Sequence, residues 1–172
     1  MRHLLRSIAV AVVAVGLTAG GTALVAAPAE AKTWLGPQAD PDVDPLQDLD
    51  EFENRMLVAI NEARAEAGFR EVRVFQSCVD GYSERWATHI KKTGDFAHRN
   101  QITVLNGCDL KWTGEALVRG TGLTPEVAVT AWLNSPSHYA VIMKKRARWA
   151  GVGVRVDADG RVVGVLNFGD PR

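Results

Sequence analysis

The sequence has few residues of the kinds that carry chemistry. Of 172 residues only two are cysteine, four are histidine and 7% are aromatic. Formal charges cancel, with 20 Lys+Arg against 20 Asp+Glu, so the basic excess of a nucleic-acid coat is missing. Two cysteines cannot make a disulfide-dense miniprotein, and 23% charged with 47% hydrophobic residues excludes a wholly disordered chain. After the first thirty residues no apolar run approaches the roughly 20 residues of a spanning helix. There is no Gly-x-Ser-x-Gly elbow, no His-Glu-x-x-His pair, no phosphate loop and no Cys-x-x-Cys. Gly151-Val152-Gly153 lies in a strand pattern and opens no helix, so it is no dinucleotide fingerprint.

Three unequal parts are present. Residues 1–31 read as a cleaved export signal, with an uncleaved membrane anchor as the alternative: Arg2 and Arg6, an apolar stretch from Ile8 to Leu17, then Ala29-Glu30-Ala31 before the cut. Residues 32–51 hold six acids, three prolines and one base, the composition of a flexible acidic leader. Arg2, Arg6 and Lys32 are the only basic residues before Phe52, whereas Glu30 and six leader acids precede it. Residues 52–172 therefore carry 17 basic and 13 acidic side chains, a net charge of +4. Export also interprets Cys78 and Cys108: an even pair in an oxidising compartment forms a bridge. The alternative is a nucleophilic or metal-binding cysteine.

The folded part predicts four helices. The first runs from about Asp50 to Gly68, with Phe52, Met56, Ile60, Ala63 and Ala67 on one face and Asp48 or Asp50 as cap. The second spans about Cys78–Lys92, with Val79, Tyr82, Trp86 and Ile90 as its stripe, and Gly94 follows it. Residues 94–113 read as irregular. The third starts at Thr124-Pro125 and buries Val127, Ala128, Ala131 and Trp132; the fourth starts at Ser135-Pro136 and holds His138, Val141 and Ile142. Residues 72–75 are β-prone and 114–118 form a short strand. Val152 to Val156 and Val162 to Phe168 form a hairpin about Asp159-Gly160. Four helices around a small three-stranded antiparallel sheet make a layered α+β domain.

His89 lies off the stripe of its helix and reads as solvated. His98 follows Asp95-Phe96-Ala97 in a loop, and His138 lies in the first turn of a helix; each alone is ordinary decoration. Glu115 stands between Gly114 and Ala116 in an otherwise apolar strand. It either faces water on an edge or meets the histidines, because an unpaired buried carboxylate is costly.

These residues are not independent. Ile60-Asn61-x-x-Arg64-x-x-x-Gly68, Phe96-Ala97-His98, Gly114-Glu115, Trp132-x-x-Ser135-Pro136-Ser137-His138, Gly151-Val152-Gly153-Val154 and Asn167-Phe168-Gly169 follow in one order over residues 52–169. The pattern resembles the CAP superfamily of cysteine-rich secretory, antigen 5 and pathogenesis-related proteins, in its short secreted bacterial form. The resemblance implies an α-β-α sandwich and a cleft of two histidines and two acids. His98 and His138 match the histidines and Glu115 one acid, and the cleft binds a divalent metal such as zinc in several members. Two positions depart from the pattern. Ala116 stands where an asparagine is frequent. The second acid falls on Ser135, which reads instead as a helix cap, and Glu126 lies in a first turn outside the cleft.

The resemblance also implies lipid or sterol binding in some members. In this chain Lys144, Lys145, Arg146 and Arg148 beside Trp149 are the candidate contact for a membrane or an envelope polymer, or else a solvated loop. The leading expectation is a secreted, non-enzymatic ligand-binding module with a His/Glu cleft for a divalent metal. The alternatives are a metal- or His/Glu-dependent hydrolase, and a structural or protein-partner-binding domain. Oligomeric state is not legible from the chain.

Overall fold

The computed structural model describes Leu46 and residues 48–172. The export signal and most of the acidic leader lie outside the described residues. The elements are α1 (Leu49–Glu66), α2 (Ser77–Thr93), α3 (Gln101–Gly107), β1 (Leu110–Gly120), α4 (Pro125–Leu133), α5 (Pro136–Ile142), β2 (Trp149–Val156) and β3 (Val162–Pro171). The three strands form one antiparallel sheet in the order β1-β3-β2.

Strand alternation sorts the side chains into two layers. Ala116 of β1, Ala150, Val152 and Val154 of β2, and Val162, Leu166 and Phe168 of β3 face the main core. There they meet Phe52, Met56, Leu57 and Ile60 of α1, Ala128, Val129 and Trp132 of α4, and Ile142 of α5. On the other face Leu117, Val163 and Val165 pack under Ala87 and Ile90 of α2. Val79, Val104, Cys108 and Leu110 form a third cluster joining α2, α3 and β1. The result is the expected sheet between two helical layers.

Five helices are present among the described residues, not four. The addition is α3, inside the stretch expected to be irregular. Asn100, read as a breaker, is its N-cap and accepts a hydrogen bond from the Ile102 N–H at 3.0 Å. Only Val104 of α3 is buried, while Ile102 is exposed, so the helix leaves no apolar period to detect. Helix α1 starts inside the stretch assigned to the leader, because Asp48 accepts from the N–H groups of Asp50 and Glu51, both at 3.1 Å. Ala67 falls past the last turn of α1 and is exposed.

Two helix faces differ from expectation. The buried stripe of α2 is Val79, Ser83, Ala87 and Ile90, with Tyr82 and Trp86 only half-buried. The reason is Gly151 and Gly153 of β2. A Cβ at Gly151 would collide with the backbone of Asp80, and one at Gly153 would lie 2.6 Å from Glu84 Cα. The helix therefore lies backbone to backbone on β2, and small side chains suit that face. In α4 the buried residues are Pro125, Glu126, Ala128, Val129, Trp132 and Leu133, while Val127 and Ala131 are exposed.

β2 is an edge strand, and its outward groups are covered. Ala150 N–H donates to the Arg73 carbonyl at 2.9 Å, and Val154 N–H to Glu53 Oε1 at 2.7 Å. Such cover blocks edge-to-edge pairing of chains.

Candidate functional site

β1 is the other edge of the sheet, and the candidate residues gather beside it. Glu115 is paired with Asn167 in the β1–β3 register and leaves the sheet on the α2 face. Its side chain is 1% exposed, so it does not face water as an ordinary edge residue would. Glu115 Oε1 lies 2.7 Å from His98 Nδ1 and accepts from the Arg99 backbone N–H at 3.2 Å. The His98 side chain is 57% exposed. One end of its ring is therefore fixed by a buried carboxyl and the other points outward. Burial raises the Glu115 pKa, against the lowering effect of His98 and of the Arg99 N–H.

His138 arrives from the opposite layer. It lies in the first turn of α5, and its ring centroid is 6.4 Å from that of His98, at 58° between planes. Burial and then the neighbouring His98 lower the His138 pKa, which favours the neutral imidazole. Gly114 permits the approach of α5: a Cβ there would lie 2.8 Å from both Trp112 and Val141. Arg64, fully buried, donates to the carbonyls of Ile142 and Lys144 at the end of the same helix and to Arg70 O at 2.9 Å. Its guanidinium thus ties α5 to α1, and burial lowers its pKa.

The other sequence candidates fall elsewhere. Ser135 occupies the N-cap position of α5 but makes no capping hydrogen bond; its hydroxyl lies 3.2 Å from that of Ser137. The position of a second cleft acid thus holds only a small hydroxyl. Glu126 is outside the cleft, as expected, but it is buried and paired with Arg55 of α1 at 2.5 Å. Ala116 points into the main core, so the frequent asparagine is missing from a position that faces away from Glu115. Cys78 and Cys108 form the expected disulfide, with Cα atoms 5.7 Å apart, and it closes the loop containing His98. Lys144, Lys145 and Arg148 are exposed, Arg146 pairs with Asp170 at 3.0 Å, and Trp149 packs against the cluster of Val79, Val104, Cys108 and Leu110.

Sequence reasoning missed Arg99. Its backbone holds Glu115, and its guanidinium donates to the Tyr82 carbonyl at 3.0 Å while lying over the rings of Tyr82 and Trp86. Trp86 Nε1 fixes the same loop by donating to Ala97 O at 3.0 Å. Tyr82 and Trp86, four apart on α2, were the available signal, and they read as core stripe.

Comparison with known proteins agrees with the order of motifs. The family model of the cysteine-rich secretory protein family, CAP, matches residues 57–168. The chain belongs to this family. No curated protein sequence matches it. Among solved structures, an outer surface protein from Borrelia burgdorferi superposes with a TM-score of 0.66 at 19% identity, over 73% of this chain and 96% of that one. An extracellular SCP-domain protein from Bacillus anthracis gives 0.64 at 18%, over 77% of this chain but only 44% of its own length. A structure of NaASP2 with Zn2+ gives 0.54 at 14%, over 72% and 81%. At these identities the likeness speaks for the CAP fold. Among the described residues no helix is long and apolar enough to cross a membrane.

The geometry limits how a metal could be held. Among the described residues no group of three or more His, Cys, Asp or Glu is arranged for a metal ion. Glu115 Oε1 is committed to His98 and Arg99, so the trio is a pair of imidazoles with a carboxyl behind one of them. That donor set fits a cation taking two imidazoles and completing its shell with water, with Glu115 fixing the tautomer and orientation of His98.

Proposed function

We propose that this CAP domain is an exported, non-enzymatic ligand-binding module whose cleft holds a divalent cation such as zinc through His98 and His138. The observation that carries the reading is the 2.7 Å contact between the buried Glu115 carboxyl and Nδ1 of the exposed His98. A carboxyl behind an imidazole is the usual outer support of a ligating histidine. The lowered pKa of His138 keeps the second imidazole in its ligating form. Export agrees with the sequence of residues 1–31 and with the outer-surface and extracellular proteins among the structural neighbours. NaASP2, which shares the fold, has been solved with Zn2+. Bound metal would supply a Lewis acid facing solvent; the chain itself positions the two rings and leaves the remaining coordination open.

The test is calorimetric titration of the protein with Zn2+ at neutral pH, beside a His98→Ala/His138→Ala variant. Stoichiometric binding lost in the variant is expected. Binding of equal strength in both proteins would remove the cleft from the reading. Absence of binding in the parent would leave His98, Glu115 and His138 as a structural network.

A further inference from the structure

The outer face of α2 carries a ladder of alternating charges and rings. The Arg85 guanidinium lies 4.6 Å from the Tyr82 centroid, and Arg99 lies 4.8 Å from the same ring. Arg99 also lies 5.0 Å from the Trp86 centroid, and Trp86 stacks on His89 at 4.4 Å and 9°. Beside the ladder, Arg119 of β1 lies 4.5 Å from the ring of Phe96, which is 38% exposed.

None of these three arginines has a carboxylate partner among the described residues. The ion pairs of the domain use Arg55, Arg146, Arg155, Arg161 and Arg172, together with His98. Glu84, next to Arg85 in sequence, is taken by Arg155, and the exposed Asp95 pairs with none of them. Arg85 and Arg99 are thus two like charges against one ring; the buried Glu115 near Arg99 offsets part of their repulsion, and an anion at their open edges would lower it further.

Stacking also decides what the arginines can offer. A ring covers the face of a guanidinium and leaves its N–H edge open. Arg99 spends one nitrogen on Tyr82 O, and Arg119 spends one on Gly94 O at 3.2 Å, while Arg85 donates to nothing among the described residues. The face therefore presents held guanidinium edges in a row, each suited to a carboxylate or sulfate fork. The outer faces of His89 and Phe96 remain for the C–H side of a sugar ring. A bilayer would need protruding apolar side chains, and Phe96 is the sole strongly exposed large one among these residues. A nucleic-acid surface would need more than the net +4 of residues 52–172.

We propose that the Arg85–Tyr82–Arg99–Trp86–His89 ladder, with Arg119 and Phe96, binds an acidic polysaccharide. This surface shares Arg99 and Trp86 with the support of the His98 loop but includes neither proposed metal ligand, His98 nor His138, so the two readings can fail separately.

Affinity measurements with polygalacturonate as probe, and uncharged dextran as control, test the proposal in the intact protein. Binding to polygalacturonate alone is expected, weakened at least tenfold between about 0.05 and 0.5 M salt. An Arg85→Glu/Arg119→Glu variant should bind at least tenfold more weakly at an unchanged melting temperature. Arg85→Gln, which removes one charge at an exposed site, should lose affinity in the same direction if the double variant folds poorly. EDTA and the His98→Ala/His138→Ala variant should leave polymer binding as it was, even if zinc binding fails altogether. Equal binding of parent and Arg85 variants, equal binding to dextran, or binding to phosphatidylglycerol vesicles or polyglutamate without binding to polygalacturonate would each overturn the proposal.

Discussion

Glu115 and His98 are joined by 2.7 Å across the boundary between core and solvent, with side chains 1% and 57% exposed. The same carboxyl oxygen accepts the Arg99 N–H, so the contact is at once a support for the imidazole and a clamp on the loop that carries it.

These two roles predict different outcomes for Glu115→Gln. If Glu115 supports a ligating His98, Zn2+ affinity falls about ten- to a hundred-fold, and the loss of melting temperature against the parent grows with Zn2+ concentration. We expect that pattern in paired calorimetric and thermal titrations. A constant offset in melting temperature at every Zn2+ concentration, with unchanged affinity, would assign the contact to the fold alone.

The site was partly legible in the sequence because its residues sit at punctuation. Gly114 before Glu115 and Ser135-Pro136 before His138 mark a close approach and a helix start, and both are visible in one dimension. The layered fold was legible for the same reason: valine alternation and Asp159-Gly160 give the hairpin directly. Arg99 and α3 were not. Arg99 acts through its backbone N–H and through rings brought close only by the fold, and α3 buries too little to show a period. Residues 79–90 misled for a third reason. The glycines that draw α2 against β2 lie some seventy positions away, so the helix cannot announce which of its sides meets them.

A second prediction concerns Glu53, which is buried under Val154 N–H beside Glu84 and Arg155, with Asp80 one turn from Glu84 on α2. Burial, a hydrogen bond with Glu84 and repulsion from that carboxylate push its pKa from 4.5 up to about 8, against Val154 N–H and Arg155. The folded protein therefore holds a proton here that the unfolded chain has released. The contribution is fully present below about pH 4.5 and is lost as pH rises through about 8. Urea midpoints at fixed salt should fall over that window, and Glu53→Gln, which mimics the protonated acid, should flatten the decline. An equally steep decline in the variant would show that Glu53 is not its source.

The disulfide gives a third prediction. Cys78–Cys108 spans a sequence separation of 30 and joins the start of α2 to the end of α3. In the chain-entropy treatment, opening such a loop costs roughly 3–4 kcal/mol. A Cys78→Ser/Cys108→Ser variant should lose about that much in urea unfolding, and reductant should lower the parent toward it while leaving the variant unchanged. Since His98 lies within the loop, we expect amide exchange over residues 95–100 to quicken in the variant. Unaltered exchange there would mean that Trp86 and Arg99 alone fasten the segment to α2.

The fourth prediction tests the contact between α2 and β2. At Gly153 a Cβ would lie 2.6 Å from Glu84 Cα and 2.5 Å from its nitrogen, both backbone atoms of a helix that is bridged by disulfide at one end and fastened by Arg155 along its side. Such neighbours cannot rotate away as a side-chain tip would. Gly153→Ala must therefore push the helix off the sheet, opening contacts of Ala87 and Ile90 with Val163 and Val165 as well. We expect a loss of about 3 kcal/mol or more, at the upper end of overpacking costs. Gly122→Ala provides the comparison. Its turn has open space within 4 Å but a φ of +66°, so only backbone strain opposes the methyl, at about 1 kcal/mol. Urea unfolding of the two variants separates steric exclusion from conformational strain. Equal losses would mean that α2 can shift outward at little cost, and the backbone-to-backbone seating would then not be what selects small residues on its inner face.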